Sequence, residues 1–263
     1  MNAVVATDLV LSYGATIAVD RSTFAIPAGG VTAVIGPNGS GKSTLLGAIA
    51  GLIEPRSGTI EVPARAKGPH RVAYVLQTTK VNEALPVTVR EVVLMGRFAS
   101  AGAFGRVGRS EDRTAVEEAM DRVGIAELAN RHLAQLSGGQ RQRVFVAQGL
   151  AQDHDLLLLD EPLTGVDITS AQAIDEVIHD ETRRGCTVVM TTHDLSEAQV
   201  ADHVVLVGGR VVASGPPEQV LTEEHLLDAY GLSLLHVDQG QVFLDDPAHT
   251  PVEGRHLHGE RKA

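Results

Sequence analysis

The nine residues Gly36-Pro37-Asn38-Gly39-Ser40-Gly41-Lys42-Ser43-Thr44 limit what this chain can fold into more than any other stretch. An apolar run, Val31-Thr32-Ala33-Val34-Ile35, precedes them and reads as a buried strand. Leu45-Leu46-Gly47-Ala48-Ile49-Ala50 follows and reads as the first turns of a helix. A glycine, four residues and Gly-Lys-Ser between strand and helix is the phosphate-loop pattern. The glycines let the backbone turn tightly and approach a ligand closely. Unpaired N–H groups and the dipole of the new helix make its start an anion site. Lys42 supplies a full positive charge for the outer phosphates of a nucleotide, and the Ser43 hydroxyl suits Mg²⁺. A glycine-rich turn with no ligand is the plainer alternative.

The 263 residues suffice for one large domain or two lobes, and 43% are apolar, so a sizeable core can form. Aromatics make up 3%, so Val, Leu, Ala and Ile must fill that core. The net charge of −11 opposes an open nucleic-acid groove or a binding face for anionic lipid. The single cysteine, Cys186, precludes an internal disulfide framework and reads as a buried core thiol beside Thr187-Val188-Val189-Met190. No apolar run approaches the length of a membrane span, and the first residues show no signal-peptide pattern. A role at a membrane would then require docking on another chain.

Val4–Leu11 and Ile17–Ile26 alternate around Ser12-Tyr13-Gly14 and read as antiparallel strands. Tyr13, at that turn, can stack on a base or simply cover a sheet edge. Gly58–Val62 reads as a short strand, followed by a Pro/Gly/basic loop, and Arg71–Leu76 as a buried strand with Gln77 at its end. Polar residues just past parallel strands sit where ligands bind in α/β sheets. Thr88 and Glu91 form a capping-box pair for a helix through Met95, and an irregular, glycine-rich and arginine-rich stretch is expected from Gly96 to Arg109. Glu111–Val123 has helical periodicity. Residues 78–150 therefore read as a helical lobe inserted into an α/β unit.

The lobe ends in Leu136-Ser137-Gly138-Gly139-Gln140, where Ser137 and Gln140 make a second capping box for a helix to Ala151. Two glycines at the first helical positions are poor for stability but leave N–H groups bare at a positive helix end. Asp155–Asp160 is a buried strand ending in a carboxylate suited to Mg²⁺, and the next residue, Glu161, can polarise a water. Thr187–Thr192 is another parallel strand, ending at His193-Asp194. His203–Val207 and Arg210–Ala213 form a hairpin, and short helices are expected at 217–220 and 223–230. A last hairpin is expected at 234–237 and 241–244, followed by a disordered tail from Asp245 that includes His249, His256 and His258. No metal site is assigned to that tail.

With these motifs in order, residues 3–230 resemble the ATP-binding subunit of ABC transporters. The resemblance implies an α/β P-loop NTPase core: a mixed sheet with parallel core strands and an antiparallel N-terminal β subdomain, with an inserted helical signature subdomain. It implies an ATPase domain over 1–232 and a short extension over 233–263. Tyr13 matches the adenine-stacking aromatic. Gly36, Pro37, Asn38, Gly39, Ser40, Gly41, Lys42, Ser43 and Thr44 match the Walker A loop, and Gln77 the Q-loop glutamine. Ser137, Gly138, Gly139 and Gln140 belong to the signature. Asp160 matches the Walker B aspartate, Glu161 the catalytic glutamate, Asp167 the end of the D-loop, and His193 the switch histidine. By the same resemblance ATP and Mg²⁺ are bound, Mg²⁺ near Ser43, Gln77 and Asp160. Two copies then pair head-to-tail, with Ser137 and Gly139 of one capping the γ-phosphate held by Lys42 of the other.

The implied setting is the cytoplasmic face of a membrane, against an integral permease and, indirectly, an extracytoplasmic substrate-binding protein. Glu161-Pro162-Leu163-Thr164-Gly165-Val166-Asp167 departs from the commoner Ser-Ala-Leu-Asp D-loop and looks like the form in manganese/zinc-type importers. Val87–Arg97 resembles that group and its iron-chelate relatives. The cargo implied is zinc or manganese, with an iron-chelate or haem importer, or another ABC transporter, as the alternative. ABC ATPases that act on nucleic acid or ribosomes carry coiled-coil insertions, zinc modules or a second ATPase domain, none of which this sequence contains.

Overall fold

The computed structural model describes residues 1–68, 71–77, 86–101, 107, 110–231, 235–238 and 241–244. β1 (Asn2–Tyr13) and β2 (Thr16–Pro27) pair antiparallel, and β4 (Ser57–Glu61) pairs with the other edge of β1. The larger sheet has the order β5-β6-β7-β3-β8-β9. Its strands are β3 (Val31–Ile35), β5 (Val72–Val75), β6 (Leu156–Leu159), β7 (Thr187–Thr192), β8 (His203–Val207) and β9 (Val211–Gly215). All pairings are parallel except β8 with β9. Two hydrogen bonds join the smaller sheet to the β8–β9 turn region: Asp20 N–H to Gly209 O at 2.7 Å, and Val211 N–H to Ser22 Oγ at 2.8 Å.

The central strands read as unbroken apolar runs because both of their faces are covered. Side chains alternate across a strand. Leu156 and Leu158 therefore join one core with Val34, Val189 and Val205, while Leu157 and Leu159 join another with Ala33, Ile35 and Val188. The first core encloses α1 (Lys42–Ala50), whose Leu45, Leu46, Ala48 and Ile49 are fully buried between the two sheets. The second core receives α6 (Ile168–Arg183) and the helical segment between β5 and β6.

That segment contains α3 (Val89–Ala101), α4 (Ser110–Arg122) and α5 (Gly138–Leu150). α3 begins at the Thr88–Glu91 capping pair but runs past Met95, so residues 96–101 are helical and not irregular. Gly96 does not break the helix. It lets α3 touch α5: a Cβ there would lie 2.1 Å from Gln148 O. Arg97 is likewise a helical tie, with Nε donating to Asp112 at 2.9 Å and Nη1 to Ala151 O at 2.8 Å. Gly102, Gly105, Arg106, Gly108 and Arg109 lie outside the described residues.

Two further helices interrupt stretches read as loop or left unassigned: α2 (Pro63–Ala66) and α7 (Leu195–Val200). α2 begins on a proline, whose fixed φ suits a first helical position. α8 (Pro217–Val220), α9 (Glu223–Tyr230) and the antiparallel pair β10 (Leu235–Asp238) and β11 (Gln241–Leu244) follow as expected. The residues from Asp245 onward lie outside the described ones. Among the described residues no helix is long and apolar enough to cross a membrane.

Candidate active site

Four adjacent parallel strands end at one edge of the large sheet. Gln77 follows β5, Asp160 and Glu161 follow β6, His193 follows β7, and the loop Gly36–Gly41 follows β3. The backbone N–H of Asp160 donates to Val75 O at 2.9 Å, extending the ladder to the carboxylate itself.

The loop is shaped for close approach. A Cβ on Gly36 would fall 1.9 Å from Val207 O, so only glycine fits beside β8. Gly39 and Gly41 take φ of 79° and 104°, a region that other L residues resist. Lys42 is buried, and its ammonium donates to Gly36 O at 2.8 Å and Pro37 O at 3.2 Å. Burial pushes its pKa down, while Glu161 and Asp160 pull it back up. Ser40 Oγ is buried beside Gly36 with no hydrogen-bond partner among the described residues. A glycine-lined cradle, an unpartnered hydroxyl and a buried cation suit polyanionic phosphate.

The acids complete the edge. Ser43 Oγ donates to Asp160 Oδ1 at 3.1 Å, bringing a loop hydroxyl and a strand-end carboxylate together across two strands. Thr191 Oγ1 donates to the same oxygen at 2.6 Å and accepts the Glu161 N–H at 2.8 Å. The Tyr74 hydroxyl lies 3.4 Å from Asp160 Oδ2, and burial together with that carboxylate raises the phenol's pKa. Glu161 holds φ at 48°, an uncommon backbone for a non-glycine residue, and such strain gathers at functional sites. Gln77 Nε2 donates to Glu161 Oε2 at 2.7 Å.

Thr191 and Tyr74 were missed in the sequence, yet both left a signal. Each is a hydroxyl inside an otherwise apolar strand, and a buried hydroxyl needs a partner. His193 and Tyr13 are exposed at the ends of β7 and β1.

The signature residues stand apart. Ser137 caps α5, accepting Gln140 N–H at 3.2 Å while its own N–H donates to Gln140 Oε1 at 3.0 Å. Ser137 and Gly138 are exposed. Gly139 is buried, and a Cβ there would meet Asp167 Oδ2 at 2.2 Å. Asp167 caps α6 through Ser170 N–H at 3.0 Å. Among the described residues no hydrogen bond joins Ser137–Gln140 to the phosphate loop.

A phosphate loop after the central strand of a parallel sheet, faced by a strand-end acid pair, defines a P-loop nucleotide hydrolase. Comparison with known proteins narrows the class. A family model described as "ABC transporter" matches residues 19–164. The "Zinc transport system ATP-binding protein TroB" of Treponema pallidum is 43% identical over 232 residues, 87% of each chain. The "Chelated iron transport system membrane protein YfeB" of Yersinia pestis is 39% identical over 234 residues, 87% of this chain and 79% of that one. A solved structure described as an ATP binding subunit of an ABC transporter superposes with a TM-score of 0.69 at 28% identity, covering 82% of this chain and 91% of that one. The chain belongs to the ABC transporter family, as an ATPase subunit.

Proposed function

We propose that this subunit hydrolyses ATP in a head-to-tail homodimer to drive uptake of a divalent metal ion, zinc or manganese, through a membrane permease supplied by an extracytoplasmic binding protein. The observation that carries the site assignment is the 3.1 Å contact between Ser43 and Asp160, which unites the two halves of a phosphate and cation site. Ser43 and Asp160, with Gln77 nearby, are the residues that would hold Mg²⁺, which supplies positive charge against the phosphate oxygens.

Lys42 and the Gly36–Gly41 amides hold the β- and γ-phosphates, and Tyr13 stacks on the base. Glu161, kept in place by Gln77 and Thr191, orients the attacking water and accepts its proton. His193 contacts the γ-phosphate. Catalysis is then positioning plus charge stabilisation. The exposed Ser137–Gly138 helix start lies free to meet the γ-phosphate of a second copy. Because Gln77 contacts Glu161 and begins the segment leading to α3, it can report phosphate state to residues 78–150, read here as a helical subdomain.

A groove between α3 and α4, lined by Arg90, Leu94, Arg113, Val116 and Glu117, suits a permease helix, with Met95 and Phe98 exposed on α3 beside it. The zinc system of the 43% identical relative and the D-loop Glu161–Asp167 support the cargo. The chelated-iron relative favours a second reading, uptake of an iron complex. Radioisotope uptake by cells lacking this chain decides the matter. Zinc or manganese accumulation restored by the wild type and not by Lys42→Ala supports the proposal. Restoration of chelated iron alone supports the second reading.

A further inference from the structure

At the other end of the sheet, three metal-ligating side chains meet. His154 precedes β6, Cys186 precedes β7, and Glu181 lies in the last turn of α6. Their ligand atoms all fall within 4.8 Å of one another. The side chains of His154 and Glu181 are 5% and 6% exposed, and Cys186 is buried. His154 Nε2 lies 2.8 Å from Glu181 Oε2, and its Nδ1 lies 2.7 Å from Gln152 O. A backbone carbonyl only accepts, so Nδ1 carries a proton and Nε2 is aimed into the cluster. Histidines that ligate metals are oriented by this same outer bond. Glu181 is anchored through its other oxygen, Oε1, 2.6 Å from Arg122. A cavity of about 250 Å³ adjoins the three residues, with Arg122, Asp155 and Arg184 on its wall.

We propose that His154, Glu181 and Cys186 bind a divalent cation of the zinc class, with a water from the adjoining cavity as fourth ligand. Imidazole, carboxylate and thiolate together are zinc ligands, and the thiolate disfavours manganese, magnesium and calcium. On binding, His154 Nε2, Glu181 Oε2 and Cys186 Sγ each give an electron pair to the cation. Two protons leave to solvent: the Cys186 thiol proton, and the proton shared between His154 Nε2 and Glu181 Oε2, whose hydrogen bond the cation replaces. Tetrahedral bonds of about 2.0–2.3 Å require ligand atoms about 3.5 Å apart, a contraction within reach of side-chain rotation. Arg122 brings a like charge close to the cation, but Asp180 neutralises it at 2.6 Å. The site is independent of the transported cargo.

Cys186 is the chain's only cysteine, so a thiolate–metal signal reports this site alone, whatever the C-terminal histidines bind. Full-length, metal-free protein is titrated with Co²⁺ under reducing conditions. A thiolate-to-cobalt charge-transfer band is expected to saturate at one equivalent, to be displaced by Zn²⁺ but not by Mn²⁺, and to vanish in Cys186→Ser. His154→Ala is expected to weaken Co²⁺ binding by at least about tenfold. Unchanged ATP affinity and melting show that both variants fold. A folded wild type that gives no band overturns the proposal, as does a His154→Ala variant with undiminished Co²⁺ affinity.

Discussion

Gln77 Nε2 donates to Glu161 Oε2 at 2.7 Å, so the residue that leads from β5 toward the helical segment holds the carboxylate assigned to water activation. Glu161→Gln keeps the size of the side chain but removes its ability to take a proton. ATP binding is expected to persist, the nucleotide-bound dimer to accumulate, and turnover to fall by about 10²–10⁴-fold. Steady-state phosphate release and size-exclusion chromatography with ATP measure both. Wild-type turnover in this variant would remove Glu161 from the reaction.

Composite sites can be tested by mixing two defective subunits. Lys42→Ala lacks the ammonium assigned to phosphate binding, and Ser137→Arg blocks the α5 helix start. Each variant alone is expected to hydrolyse ATP negligibly. Their mixture regains activity, because one mixed pair unites an intact Lys42 with an intact Ser137. If each subunit used its own signature, mixing would restore nothing.

Thr191 serves two groups at once, Asp160 Oδ1 and the Glu161 N–H. Thr191→Val leaves both short of a partner and is expected to cost about 1–3 kcal/mol of stability. Turnover should fall with it, while Thr191→Ser retains most of both. Chemical denaturation and phosphate release check the pair. A Thr191→Val protein as stable and active as the wild type would contradict the described geometry.

Gly96 permits the α3–α5 contact. Gly96→Ala drives a methyl against Gln148 O and is expected to destabilise by about 1–3 kcal/mol, although alanine is the better helix former. An isolated helix would respond in the opposite sense. A rise in melting temperature would therefore show that α3 does not pack as described.

Glu91 accepts both the Thr88 N–H at 2.7 Å and the Thr88 hydroxyl at 2.8 Å, and these bonds hold its pKa below the ordinary 4.5. The charged form is the one favoured in the folded chain. Its contribution is complete above about pH 4.5 and is lost as pH falls through the depressed folded value. Glu91→Gln should lower stability modestly at neutral pH and flatten the acid limb, so that variant and wild type converge in acid. An unaltered acid limb would contradict the role of this cap.

The strands and caps were legible because their causes are local. Period-two alternation marks β1 and β2, and serine or threonine three residues before Gln or Glu marks α3 and α5. The phosphate loop and the strand-end acids were legible as motifs. Residues 96–101 were misread because glycine locally favours a break, whereas the reason for Gly96 lies on α5, far along the chain. Thr191 and Tyr74 escaped for a related reason. Their partner, Asp160, becomes a neighbour only once β5, β6 and β7 align in register. The cluster of His154, Glu181 and Cys186 has no sequence spacing at all, since the ends of two strands and a helix create it.

Because α1 is walled in by two sheets, the phosphate loop at its head has no independent travel. A nucleotide that arrives there cannot tilt this helix without dislodging strands on both sides. Work extracted from hydrolysis must therefore leave through the exposed margin of the site: Gln77 at the end of β5 and the capped start of α5. The phosphate loop serves as a stationary footing, and displacement is left to elements outside the two sheets.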